Sequence, residues 1–461
     1  MRVNLLLASL LASSCAFAEP QEGETVRVFD RDVYVHPANY DKGNIPPYTL
    51  EDPLTFADGR KLATPAEWPA RRAEIVEIFA REMYGRTPPK PEAVVAEKTE
   101  ESLLFDGLGI RRQYRMWFKA DKTGPHLDWI LFLPNRLTGL AAKKQKGGFV
   151  CENAEKSPVV LLLNYRGNHE LASDEKVAVP DDTWLRNNKE CGITNHLPSA
   201  VTRGFQRGTT GVTSFPVEVM LARGYAVLSA CYGQVSPDDA SEKVAYTRGV
   251  FTLWPARDPQ VTDNITSLGA WAWALSRGLD LAEQIPELDA KKSVCTGCSR
   301  LAKAALLACS RDERFAVCVP NQTGGGGVPL AKRDFGENVS TEMKSFPHWY
   351  CKAYGKYVDN EQAMKFDQHL LVASIAPRRI LVESFNEGWF DGKGEYLSCQ
   401  AASPAWTFLG KSGMPAQPYP ANFSRACIGP YVGYVRRGGP HGLSGQDWVW
   451  LMDFADQAFG R

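Results

Sequence analysis

The apolar positions follow two rhythms along the chain. From Val94 to Leu133 β-branched and aromatic residues recur, and Ile110 to Phe118 and His126 to Leu133 read as antiparallel strands. Further on, Pro158-Val-Val-Leu-Leu-Leu163 is a continuous apolar run, the mark of a strand covered on both faces. Tyr225 to Ala230, Phe315 to Val319, Arg379 to Glu383 and a piece of Cys427 to Arg436 have the same character. Between them the period becomes helical. Thr64-Pro65-Ala66-Glu67 is a capping box with proline at the first helical position, and Ile75, Ile78, Phe79 and Met83 then share one face until Gly85. Residues 216 to 222 and Leu268 to Ile285 are the next helices. Strands alternating with helices predict a mostly parallel, doubly wound sheet in a three-layer αβα sandwich. Residues 19 to 60, rich in Pro, Gly and Asp, read as an irregular lead wrapped over the surface, and 136 to 157 as a solvated loop. No linker separates domains, so 19 to 461 is expected to be one.

The first residues change the compartment. Met1-Arg-Val-Asn, the apolar run Leu5 to Ala12 and the small-residue site Ala16-Phe17-Ala18 predict a signal peptide over 1 to 18. A secreted or periplasmic protein is expected, without a membrane span, since no other run reaches about 18 apolar residues. Ten of the eleven cysteines lie beyond residue 18, and in an exported chain some disulfides are expected. Lysine plus arginine equals aspartate plus glutamate at 53 each, which argues against a nucleic-acid or anionic-membrane surface. Cys295-x-x-Cys298 has thiol-pair spacing, but it runs straight into a serine turn with no second pair, so no metal is expected.

That serine turn carries the chemistry. Ser293 to Thr296 reads as a short buried strand, the residues from Arg300 on as a helix of small and apolar residues, and Gly297-Cys298-Ser299 as the turn between them. A serine on such a strand-to-helix elbow points its hydroxyl outward, beside helix amides able to hold an oxyanion. A serine needs a base, and the base an acid to orient it. Of the histidines after Ser299, His441 sits in the glycine-rich loop Arg437-Gly-Gly-Pro-His-Gly-Leu443, after the last strand and before the closing helix, and is the candidate base. His348 and His369 lie before or inside predicted helices, and His369 is read as structural. The acid is sought after strand 379 to 383: Glu387 first, Asp391 second, Glu395 third. No organic cofactor is needed for this chemistry.

Gly297-Cys-Ser-Arg-Leu-Ala-Lys303 resembles the Gly-x-Ser-Arg-x-Gly-Lys pattern of the glucuronoyl esterases of carbohydrate esterase family fifteen, with Ala302 in place of a glycine. The resemblance extends through Gly167-Asn168-His169, Pro216 to Tyr225, Gly324 to Gly327, Phe335-Gly-Glu337, Phe346-Pro-His-Trp349 and Ile375-Ala-Pro-Arg378. It implies an α/β-hydrolase fold. It also implies Ser299 as nucleophile, His441 as base, and Arg300 stabilising the oxyanion through its amide and guanidinium. Lys303 becomes a ligand of uronate hydroxyls, and Glu337 and Trp349 the residues that hydrogen-bond and stack on the sugar. The implied reaction is hydrolysis of 4-O-methyl-glucuronoyl esters joining glucuronoxylan to lignin alcohols, by a monomer. Alternatives are a general acyl or acetyl-xylan esterase of the same fold, and a carbohydrate-binding homologue with a decayed triad. One departure stands out: many members carry their acid in Gln-Glu-Ser-Gly, and Asn321-Gln322-Thr323-Gly324 is read as placing the chargeless Thr323 there. Gly442 replaces the cysteine that often follows the histidine and pairs with the cysteine of the turn.

Overall fold

In this computed structural model the described residues are 24–28, 31–35, 38–135, 143–145, 148–150, 156–205, 214–386 and 388–461. Nine strands form the main sheet: β1 (Val95–Leu104), β2 (Gly109–Trp117), β3 (His126–Pro134), β4 (Ser157–Asn164), β5 (Ala226–Cys231), β6 (Leu288–Cys298), β7 (Val317–Asn321), β8 (Arg379–Ser384) and β9 (Val432–Arg436). Their order is β9-β8-β7-β6-β4-β5-β3-β2-β1. The first three strands pair antiparallel, with β3 antiparallel to β5, and every pairing from β5 through β9 is parallel. This is the doubly wound sheet that the alternating pattern predicts. The two most apolar runs, β4 and β5, are buried at every position, Ser229 included, because helices cover both faces.

Six helices bear on the site: α1 (Trp68–Phe79), α2 (Val217–Ala222), α3 (Ser267–Gln284), α4 (Arg300–Arg311), α5 (Gly392–Ala402) and α6 (Gly445–Phe459). The capping box at Thr64 and Glu67 is formed, and α1 closes through a π turn at Ala80–Tyr84 into Gly85, whose φ of 76° ends it. Two apolar clusters fill the sandwich. Trp129, Trp271, Leu301 and Leu306 belong to the larger one, on the face of α3 and α4. Trp448, Leu451 and Phe454 of α6 pack with Val160, Val227 and Val319 on the other.

The lead differs from its expectation in having local order, a hairpin of Glu24–Val28 and Arg31–Val35. Beyond it the lead is fastened to the stretch 332–336 and to His369. Asn39 accepts at its carbonyl from the Gly336 amide (2.8 Å) and donates from Nδ2 to Asp334 O (3.1 Å). Glu51 pairs with buried Lys332 (2.7 Å), and its carbonyl lies 2.7 Å from His369 Nε2, which makes His369 structural. The expected signal peptide falls outside the described residues. No helix among those described is long and apolar enough to cross a membrane. Cys231, Cys295, Cys309, Cys318, Cys351, Cys399 and Cys427 are buried free thiols, so these seven form none of the disulfides expected for an exported chain.

Candidate active site

The central strand β6 ends buried at Cys298, and Ser299 follows with φ 58° and ψ −131°. A non-glycine residue there stores about 1–3 kcal/mol of strain, tolerated because its neighbours over-determine it. The Ser299 amide donates to Asn321 O of β7 (3.0 Å), and its carbonyl accepts from the amides of Ala302 (2.8 Å) and Lys303 (3.1 Å). The turn also requires Gly297, since a Cβ there would lie 2.4 Å from Leu301 O. The elbow read from the sequence is formed, at the carboxyl end of the sheet where such folds bind ligands.

One residue beyond Asn321, Gln322 adopts φ 53° and turns its amide toward the histidine loop. Gln322 Nε2 donates to Gly442 O (3.0 Å), which orients Oε1 to accept from the Gly442 amide (2.9 Å). The same Oε1 lies 2.7 Å from His441 Nδ1. An amide oxygen only accepts, so Nδ1 carries the proton and Nε2 is left as the basic nitrogen. Arg437 clamps the loop: it pairs with Asp447 (2.9 Å) and donates to the carbonyls of Gly438 (2.7 Å), Pro440 (3.0 Å) and Gly442. The imidazole also packs in a cluster with Phe390 (ring centroids 4.5 Å apart) and Phe385 (5.5 Å), themselves in contact at 5.1 Å. Burial and the nearby Arg300, Arg437 and Lys303 push its pKa down to about 3, so it is neutral at any working pH. Among the described residues no hydrogen bond joins Ser299 Oγ to His441, a gap common in unliganded hydrolase sites.

The acid position is where sequence reading and structure part. Thr323 does not face the imidazole; its Oγ1 and amide bond Glu395 Oε1 (3.0 and 3.2 Å). The residue at the Nδ1 position is Gln322, the expected carboxylate replaced by its own amide. Aligning Gln-Glu-Ser-Gly with Asn321-Gln322-Thr323-Gly324 one for one already puts glutamine in the acid's place. Glu387 lies outside the described residues. Asp391 caps α5 through the Gly394 amide (3.0 Å) and pairs with Arg333 (2.8 Å). Glu395 is fully buried, and burial raises its pKa to about 8.

On α4, Arg300 and Lys303 project to the same side as Ser299. The Arg300 guanidinium pairs with Asp238, in the loop after β5, and packs over the Trp349 ring (4.9 Å). Lys303 lies between two buried carboxylates, Glu337 (3.3 Å) and Glu342 (3.4 Å), with its ammonium 4.8 Å from the Trp349 ring centre. Burial raises both acids, Glu342 to about 7, against the lowering effect of Lys303. The glycine run makes room for them: a Cβ on Gly324, at φ 65°, would stand 2.4 Å from Glu337 Oε2. Trp349 differs from the expected open stacking surface. It is 1% exposed, one face lies parallel to Phe346 at 3.8 Å, and its Nε1 donates to Asp238 Oδ1 (2.8 Å). Asp238 was missed because it belongs to no local motif, and Gln322 because the motif was read one residue out of register, at Thr323. At the same edge His126, Asp128 and Asp182 are close enough to hold a metal ion, but Gln234 donates to both carboxylates and Arg115 pairs with Asp128.

A serine on a strained elbow after the central strand, with a histidine from the loop after the last strand, defines an α/β-hydrolase. A family model described as "Glucuronyl esterase, fungi" matches residues 210–410. The carbohydrate esterase MZ0003, from an unknown prokaryotic organism, is 32% identical over 93% of this chain and 94% of its own. A 4-O-methyl-glucuronoyl methylesterase of Podospora anserina is 24% identical over 78% of this chain and 60% of that protein. The solved glucuronoyl esterase of Solibacter usitatus superposes with a TM-score of 0.79 at 31% identity, covering 91% of this chain and all of that one. The chain belongs to the glucuronoyl esterases of carbohydrate esterase family 15, and is a carboxylic ester hydrolase.

Proposed function

We propose that the protein hydrolyses 4-O-methyl-glucuronoyl esters that join glucuronoxylan to lignin alcohols, outside the cytoplasm and as a monomer, after losing residues 1 to 18. Two observations support the reading: Ser299 stands strained on the elbow, and the Gln322 oxygen 2.7 Å from His441 Nδ1 fixes the neutral tautomer with its basic nitrogen at Nε2. His441 Nε2 takes the Ser299 proton as Oγ attacks the ester carbonyl. The charge developing on the carbonyl oxygen meets the first amides of α4 and the Arg300 guanidinium. His441 returns the proton to the leaving alcohol, and water then releases the uronate by the reverse sequence. Lys303 and Glu337 offer a cation and an acceptor to the hydroxyls of the uronate ring. Gln322 fixes the tautomer but brings no charge. We assign the negative charge to Glu387, from the segment whose Phe385 and Phe390 pack against the imidazole.

The test compares hydrolysis of benzyl glucuronate with deacetylation of acetylated xylan. The reading predicts turnover of the uronate ester, lost by more than about a thousandfold in Ser299→Ala, and much weaker deacetylation. Preferred deacetylation would assign a general acyl esterase. Binding of glucuronoxylan without turnover of either ester would assign a binding protein. Glu387→Ala should lower kcat at unchanged KM while Asp391→Ala leaves kcat alone; the opposite result moves the acid to Asp391.

A further inference from the structure

Arg300 is badly placed for a free cation. It is the first residue of α4, where the helix dipole is positive, and Lys303 lies one turn further on. What holds it is Asp238, fully buried at the end of the loop after β5. Its Oδ2 pairs with Arg300, lies 3.5 Å from Arg186 Nε and accepts from Tyr232 OH (3.4 Å). Its Oδ1 lies 2.7 Å from His348 Nε2 and accepts from Trp349 Nε1 (2.8 Å). Burial lowers the His348 pKa, so this ring is neutral and donates from Nε2 to an acceptor-only carboxylate. Burial alone would raise the Asp238 pKa, but Arg300, His348 and Arg186 hold it well below the usual carboxylate value. The aspartate is thus a fixed anion with donors from four segments, far more constrained than an ion pair at a surface. Around the cation stand Trp349 (4.9 Å), Phe346 (5.7 Å) and Tyr165 (6.0 Å), so the guanidinium is flanked by rings and tethered to Asp238.

We propose that Asp238 is a positioning residue for the ester hydrolysis, acting through Arg300 by aiming its guanidinium at the developing oxyanion. The proposal rests on the reading of Arg300 as an oxyanion ligand. A floppy cation would meet substrate and transition state alike; a tethered one is committed to the transition state, where only differential stabilisation speeds the reaction. His348 and Arg186 serve by fixing the carboxylate, which gives His348 a purpose other than that of a general base.

The test is a double-mutant cycle on kcat and KM with benzyl glucuronate, using Asp238→Asn and Arg300→Ala. Arg300→Ala should lose about 10²- to 10³-fold in kcat, the usual cost of one oxyanion ligand. Asp238→Asn should lose roughly ten- to a hundredfold in kcat with KM little changed, since misplacement of a catalytic group by about 1 Å can cost 10²-fold. In the Arg300→Ala background the same substitution should cost less than about twofold, because nothing remains to aim. An equal loss in both backgrounds, or no loss in either, overturns the proposal while leaving Arg300 its role. Full activity in Arg300→Ala overturns the underlying reading as well. Should Asp238→Asn fail to fold, His348→Gln in the same cycle decides: a kcat loss seen only with Arg300 present supports the proposal, and a loss independent of Arg300, or none, overturns it.

Discussion

Replacing Gln322 by glutamate puts a carboxylate at the position that, among the described residues, contacts the Nδ1 proton of His441, and its consequences can be worked from the geometry. The acceptor oxygen is 2.7 Å from Nδ1, and an opposite charge this close raises a histidine pKa by about 1–3 units, about 1.4 kcal/mol each. The wild-type imidazole starts near 3 through burial and three neighbouring cations. The variant should therefore titrate near 4 to 6. The base must be neutral to act, so the sign is fixed: the acid limb of the kcat/KM profile moves to higher pH. Above that limb kcat rises, up to about tenfold, because the imidazolium formed in the transition state gains a counter-charge. One loss opposes this. Gln322 Nε2 donates to Gly442 O (3.0 Å), and a carboxylate cannot, at a cost of about 1–3 kcal/mol in stability, reduced because Arg437 also donates to that carbonyl. The assay is a pH profile of benzyl glucuronate hydrolysis from pH 3.5 to 8 beside a thermal melt. If the acid limb stays where it is in the wild type and kcat is unchanged, residue 322 is not the partner of the base in solution.

Three other outcomes follow from the same structure. Lys303→Met removes the ammonium that lies between Glu337 and Glu342; KM for uronate esters should rise by about tenfold or more, with a smaller change for a plain acetate ester, as a substrate series will show. Gly297→Ala puts a methyl 2.4 Å from Leu301 O and should cost about 1–3 kcal/mol or more of stability together with most of the activity, read by melting and kinetics; a silent substitution would mean the elbow relaxes freely. Burial raises Glu395 to about 8, so the folded state binds a proton there that the unfolded chain has released above about 4.5. Stability is then present at low pH and lost as pH climbs toward 8, and melts at pH 5.5 and 8 should differ less in Glu395→Gln than in the wild type.

The parts of this molecule that could be read in advance are those written in local patterns. Pro158 to Leu163 and the Gly297-Cys-Ser turn state their own conformations, because an uninterrupted apolar run demands cover on both faces and a strand-to-helix elbow needs small residues beside its serine. Strand β7 came out two residues later than Phe315 to Val319, ending at Asn321 rather than Val319, because its polar end is buried against Glu383, whose Oε2 accepts from Asn321 Nδ2 (2.9 Å). Glutamine at 322 was legible as the histidine's partner only through the family tetrapeptide, read one residue out of register; the contact itself spans 119 positions, and only the closed sheet brings them together. Asp238 was hidden for the same reason, 62 positions from Arg300. Trp349 shows the converse error, since an aromatic near a sugar-binding sequence suggests a stacking surface, whereas here Phe346 takes its face.

The hydrogen bonds that tie the lead to the loop before Glu337 make that loop depend on residues far upstream, 295 positions for Asn39 and Asp334. Asn39 grips the residue just before Glu337, and Glu51 secures Lys332 five residues upstream of it. A shortened version beginning after residue 51 would keep the elbow and the histidine, yet surrender the bonds that brace the stretch from Lys332 to Gly336. Whoever trims this esterase for expression, or fuses another module to its front, is loosening the loop that carries Glu337.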